Sequence, residues 1–233
     1  VPSVVESRLI SIADEAGRRG TPVDLPADLT VPAHALGCSI FAHGSGSSRL
    51  SPRNRLVSAV LNNAGIATLL FDLLTPGEEE DRRNVFDVDL LAARLVAATR
   101  WLAEQPETKG LPVGYFGAST GAAAALRAAA DLGAQVRAVV SRGGRPDLAG
   151  PWLATVRSPT LLVVGGHDAV VLELNREALR ELACEAELRV IPGATHLFEE
   201  SGALEQVAVL ARDWFARHLS TSHVQAAAGG PDG

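Results

Sequence analysis

Five short apolar runs, at 37–42, 66–71, 112–117, 136–141 and 159–165, and a more mixed sixth at 186–191, constrain the fold of this chain more than any other feature. A strand that faces water on one side alternates apolar and polar residues; an unbroken apolar run is buried on both sides. Helical stretches separate these runs. The one over 51–64 opens with Ser51-Pro52 and stops at Gly65, and that over 85–104 ends before Pro106. The Ala-rich stretch 120–132 closes on Gly133, and two more helices are predicted over 172–183 and 204–218. Serine at the cap, proline in the first turn and glycine after the last satisfy the orphaned amides and carbonyls of helix ends. Buried strands alternating with helices build a mostly parallel central sheet with helices on both faces. Before this region, 1–20 is weakly periodic and reads as strand, helix or both, while 21–32, with three prolines, reads as an early edge strand. Residues 73–83 read as a polar loop. The expected organisation is a single domain over 1–220, followed by a disordered tail from 221.

A sheet of this kind presents functional groups in the loops beyond the carboxyl ends of its strands. Gly117-Ala118-Ser119-Thr120-Gly121 stands at such a place. It follows a buried run directly and precedes a helix directly, the setting of the nucleophile elbow in the α/β-hydrolases. A chance match at a strand-to-helix turn is the bland alternative, and this placement argues against it. Ser119 is the candidate nucleophile. A serine hydroxyl needs a positioned base, and the chain order in this fold is serine, acid, histidine. Of six histidines, His34 and His43 precede Ser119, His218 ends the last helix and His223 lies in the tail. His167 leaves no well-placed acid before it. His196, in the loop after the last strand, is the candidate base.

Asp168 follows the strand 159–165 through Gly166-His167 and is the candidate acid, with Asp147 and Glu173 as alternatives. Its bland reading is a helix cap. The tetrahedral intermediate of acyl transfer needs two backbone N–H donors at its oxyanion. Thr120, directly after the nucleophile, supplies one. Ser45, in the loop His43-Gly44-Ser45-Gly46-Ser47-Ser48, is expected to supply the other, with Gly44 letting the backbone approach a ligand. A phosphate cradle is the competing reading of that loop, but no Lys-Ser/Thr follows it.

Taken together, FAHGSGSS (41–48), YFGASTGAAAAL (115–126), VVGGHD (163–168) and GATHLFEE (193–200) resemble the dienelactone hydrolase-like branch of the α/β-hydrolases. SRGGRPDLAG (141–150) is similar to a segment of bacterial members. The resemblance runs from about Thr21 to Leu219 and implies the α/β-hydrolase fold and a nucleophile–base–acid triad. Two departures stand out. Dienelactone hydrolases proper use a cysteine where this chain has Ser119, and a glutamate where Gly44 stands. The implied chemistry is therefore hydrolysis of an ordinary ester, lactone or thioester through a Ser119 acyl-enzyme, rather than of dienelactone.

About 17 residues separate Ser141 from Pro159, too few for a large cap domain. An open site with a short helix around 148–156 is expected. Trp152 is a candidate wall of that site, with core packing as its alternative, and Arg142 and Arg145 are candidates for a substrate carboxylate or phosphate. Structural pairing, Arg145 with Asp147 for instance, is the competing reading. An acyltransferase or thioesterase would use the same residues, and a non-catalytic ligand-binding protein of the fold remains the third class. Haloalkane dehalogenases and epoxide hydrolases place Asp where Ser119 stands and are disfavoured.

The net charge of −6 and pI near 5.5 argue against a nucleic-acid partner. The two cysteines, Cys38 and Cys184, form no metal-ligand spacing, and Cys38 reads as a buried inert thiol. No cofactor or metal is expected. No apolar stretch reaches the length of a membrane span and no secretory core opens the chain, so the expectation is a cytoplasmic enzyme on a small-molecule ester, with a homodimer left open.

Overall fold

The computed structural model describes residues 4–12 and 23–220. Its strands are β1 (Val4–Ile12), β2 (Val23–Val31), β3 (Gly37–Ala42), β4 (Ile66–Phe71), β5 (Val113–Ala118), β6 (Val136–Arg142), β7 (Thr160–Gly165) and β8 (Ala186–Ile191). They form one sheet in the order β1-β2-β4-β3-β5-β6-β7-β8. From β4 to β8 every neighbouring pair is parallel, whereas β2 runs antiparallel to both β1 and β4.

Side chains alternate across the sheet, so the unbroken apolar runs feed two cores at once. On one face Ile40, Leu69, Tyr115, Val139 and Leu162 pack against α4 (Val88–Glu104), α5 (Thr120–Leu132) and α6 (Ala169–Glu181). On the other, Phe41, Leu70, Phe116, Val140 and Val163 pack against α1 (Pro52–Asn63) and α7 (Ala203–Leu219). The Phe41 and Phe116 rings meet at 4.8 Å across adjacent strands. In α5, residues Ala122 to Ala125 are wholly buried, because α4 lies on one side and residues 146–155 on the other. Small side chains at these positions let three elements converge over β5. Helix ends follow the expected chemistry. Ser51 caps α1 through its Oγ, with Pro52 in the first turn, and Asp87 caps α4 by accepting from Leu90 N–H at 3.0 Å.

The structure corrects two readings. Segment 21–32 is not an edge: β2 lies between β1 and β4, and β1 closes the sheet. Pro26 is tolerated there because its carbonyl, and so its missing N–H, faces Asp72, just past the last β2–β4 pair of Ala27 with Phe71. The 73–83 stretch is not plain loop. It holds the single turns α2 (Pro76–Glu79) and α3 (Arg82–Val85), nucleated by a Thr75–Glu78 capping box and by Asp81. The β6–β7 connection holds a 3₁₀ segment, Pro146–Thr155, kinked at Gly150. It carries no cap domain. Among the described residues no helix is long and apolar enough to cross a membrane. The expected tail lies outside the described residues.

Candidate active site

β5 ends at Ala118 and α5 begins at Thr120; between them Ser119 has φ 50° and ψ −124°. A non-glycine residue held there costs about 1–3 kcal/mol and persists only where its surroundings over-determine it. They do so here. The Ser119 N–H donates to the Arg142 carbonyl at 3.3 Å, and its own carbonyl accepts from Ala122 N–H at 3.0 Å and Arg145 N–H at 3.1 Å. Its side chain makes no capping bond to α5. The helix comes very close: a Cβ on Gly121 would sit 2.3 Å from the Ala42 carbonyl oxygen, so only glycine fits.

Asp168 follows β7 at the head of α6 and, against the helix-cap reading, makes no side-chain capping bond. Its Oδ2 instead accepts from His196 Nδ1–H at 2.6 Å. The proton belongs on Nδ1 because an ionised carboxylate can only accept, which leaves Nε2 as the free, basic nitrogen. Asp168 is mostly buried, while His196 is 40% exposed. The two loops are stitched by His167 N–H to the Ala194 carbonyl, 2.9 Å, and Phe198, buried at φ 56°, pins the segment after the base. The alternative acids are occupied elsewhere. Arg145 grips Asp147 through two bonds of 2.8 and 2.7 Å, and Glu173 pairs with Arg176 on the surface of α6. Gly143 brings base and elbow together: a Cβ there would lie 3.6 Å from His196 Cε1, and the preceding residue's carbonyl holds Ser119 N–H.

The loop after β3 closes on Ser119. A Cβ on Gly44 would be 3.0 Å from Ser119 Cβ. Ser47 N–H donates to the Gly44 carbonyl at 3.2 Å around Gly46, whose φ is +67°, so Ser45 lies at the exposed tip of the turn. Thr120 is buried and, as the first residue of α5, has no helical acceptor for its N–H. His43, set aside on chain order, holds this loop. Its Nε2 accepts from Leu73 N–H at 3.0 Å, so Nδ1 carries the proton and donates to the Gly44 carbonyl at 3.0 Å. Burial, more than the opposing pull of that hydrogen bond and of Asp72 and Glu79, lowers its pKa and keeps it neutral. Asp72 takes the Arg49 N–H at 2.7 Å and its guanidinium at 2.6 Å, tying down the far end of the loop.

Trp152 is not placed at this site. Its ring lies under the Arg127 guanidinium at 3.8 Å, and Arg127 is two turns along α5 from Ser119, about 12 Å by helical rise. The cation over an aromatic face, not a ligand, accounts for this tryptophan. Arg142 is buried beside the elbow, whereas Arg145 is engaged by Asp147. Burial pushes the Cys38 thiol up to about 12, as an inert core residue requires. One positioning residue escaped the sequence reading. Asn175, wholly buried on α6, donates from Nδ2 to the Gly144 carbonyl at 2.9 Å and the Val171 carbonyl at 2.8 Å, and so holds the loop behind the elbow. A lone amide on the sheet-facing side of an amphipathic helix was its only signal.

A mostly parallel eight-stranded sheet with a reversed second strand and helices on both sides is the fold of the α/β-hydrolases, the class of this chain. More narrowly, a family model described as the dienelactone hydrolase family matches residues 56–222, and the chain belongs to that family, whose α/β-hydrolases act on ester bonds. A solved dienelactone hydrolase from Anabaena variabilis is 52% identical, covers 93% of this chain and 99% of its own, and superposes with a TM-score of 0.87. The esterase Est1E from Butyrivibrio proteoclasticus, solved with ferulic acid bound, shares the fold at 18% identity and TM-score 0.76, over 91% of this chain and 98% of its own. A Mycobacterium tuberculosis protein whose name proposes a phosphoribosyl transferase is 65% identical over 198 residues, 85% of this chain and 45% of that protein. The chain thus spans less than half the length of the curated relatives it matches first.

Proposed function

We propose that the chain hydrolyses a carboxylic ester, lactone or thioester of a small molecule through an acyl-enzyme on Ser119. The observation that carries this reading is the 2.6 Å hydrogen bond from His196 to Asp168, beside a serine whose hydroxyl is withheld from helix capping. Ser119 Oγ attacks the substrate carbonyl while His196 Nε2 takes its proton. Asp168 holds the imidazole in the Nδ1–H tautomer and stabilises the imidazolium that forms. Thr120 N–H and Ser45 N–H receive the oxyanion. Collapse breaks the bond to the leaving alcohol or thiol, which takes the proton from His196. A water, deprotonated by His196, then attacks the acyl-enzyme, and Ser119 leaves with the proton.

The connection over β6–β7 carries no cap, which supports a substrate that reaches the site without a lid. An acyltransferase would differ only in the second acceptor. A location in the cytoplasm and action without a cofactor accompany this reading. Phosphoribosyl transfer comes only from the name of a relative more than half of which lies outside the match, and a serine–histidine–aspartate set does not call for it.

A fluorophosphonate probe tests the proposal. Mass spectrometry is expected to find the adduct on the peptide containing Ser119, with labelling strongly suppressed in His196→Ala. A folded protein that takes no label at Ser119 sinks the reading.

A further inference from the structure

Val140 faces the α1/α7 core, so Arg142, two residues on, emerges on the same face at the carboxyl end of β6. There Arg53, in the first turn of α1, lies within its electrostatic reach. Arg142 Nε and Nη1 are buried with no hydrogen-bond partner, and so is Arg53 Nε. Arg53 has one carboxylate nearby, Glu199 at 3.5 Å, which is two-thirds exposed and screens it from the solvent side. The sequence has thus put two cations within electrostatic reach of each other and left three of their nitrogens without a hydrogen-bond partner, a costly arrangement for a merely structural pair. Burial, with Arg53 contributing, lowers the Arg142 pKa to about 10, yet a guanidinium remains charged at neutral pH. The backbone of Arg142 adjoins the proposed nucleophile, since its carbonyl holds Ser119 N–H.

We infer that Arg142 and Arg53 form a receptor for a phosphoryl group carried by the ester substrate; this rests on the Ser119 reading above. The N–H inventory favours phosphate over carboxylate. A carboxylate offers two coplanar oxygens and fits one guanidinium fork, whereas a phosphate monoester offers three oxygens and between one and two negative charges. Two adjacent guanidiniums repel unless the ligand brings more than one charge. Arg53, a third exposed, leaves the pair open on one side.

The test compares three p-nitrophenyl esters of similar length: butyrate, the hemiester of succinate, and 4-phosphooxybutyrate. The phosphorylated ester is expected to exceed butyrate about tenfold or more in kcat/KM, mainly through KM, as charge-assisted hydrogen bonds are lost or gained together. That ratio is expected to collapse in Arg142→Gln and in Arg53→Gln, each verified as folded by its thermal melt, and to recover in part in Arg142→Lys. Inorganic phosphate is expected to inhibit butyrate hydrolysis competitively. A ratio near one, a ratio unmoved by both Gln variants, or a succinate hemiester that matches the phosphorylated one overturns the inference. If no ester is turned over and no probe labels Ser119, the hydrolase reading fails instead. The arginine pair is then read separately by the melting shift that inorganic phosphate produces in Ser119→Ala, expected to vanish when Arg142→Gln is added.

Discussion

Two serines in this molecule occupy the same position in the same supersecondary unit. Ser51 precedes α1 and Ser119 precedes α5, each at the cap of a helix reached from a buried strand. Ser51 has φ −48° and spends its hydroxyl on the helix, accepting from Asn54 N–H at 3.4 Å. Ser119 has φ 50° and spends its hydroxyl on nothing in α5. The difference shows what separates a structural cap from the proposed nucleophile. A capping geometry stabilises the helix and hides the oxygen, whereas the turned backbone of Ser119 gives up the cap, accepts strain and presents the oxygen above the sheet. Neighbours sustain it: Arg142, Ala122 and Arg145 fix its amide and carbonyl, and Gly121 lets α5 approach closely enough for them to reach.

The contrast is sharpest in activity. Ser119→Ala is expected to lower kcat by about 10⁶ at unchanged fold, while Ser51→Ala leaves kcat within a few-fold; equal losses would end the distinction. Next, Asp168→Asn is expected to cost about 10⁴ in kcat by favouring the wrong imidazole tautomer, and Asp147→Asn, whose partner is Arg145, less than tenfold. Steady-state kinetics on a p-nitrophenyl ester reads both.

Stability should divide the two serines in the opposite sense. Ser119→Gly relieves a left-handed backbone and is expected to raise stability by about 1 kcal/mol, against a loss of about 1 kcal/mol for Ser51→Ala, both in urea unfolding. A stabilised Ser51→Ala would show that its cap bond is idle.

The smallest effect concerns the loop between β3 and Ser51. His43 has a lowered pKa in the fold, so the unfolded chain binds the proton first as pH falls. Its contribution is full above the unfolded value, about 6.5, and is lost as pH drops through the lower folded value. The urea midpoint is expected to fall between pH 7 and 5, and less steeply in His43→Gln. Parallel curves would show that His43 binds its proton equally in both states.

Much of this was legible in the sequence, and the exceptions have physical reasons. The pairing of His196 with Asp168, and the place of Ser119 at a strand-to-helix turn, were readable because each of the three follows a strand at its carboxyl end, where a parallel sheet presents its loops. Thr120 came with the nucleophile. The reversed direction and interior place of β2 were not readable, since three prolines say that N–H groups are missing but not that Pro26 lies just past the end of β4. Trp152 misled because its partner, Arg127, is 25 residues away on another element and stacking leaves no local pattern. His43 was set aside as a base by chain order, but order says nothing about an imidazole that bridges Leu73 and Gly44. Asn175 acts on a carbonyl 31 residues back, beyond any spacing rule.

The hydrogen bond between His196 and Asp168 joins residues 28 apart, in the loops that follow the neighbouring strands β7 and β8. The oxyanion loop and the elbow must meet from much farther along the chain. Loop-closure entropy rises with the length of chain between two contacts. The proton-handling half of the site is therefore the local half, and its closure is the easier one as the chain folds. The charge-stabilising half depends on long-range docking of β3 against β5.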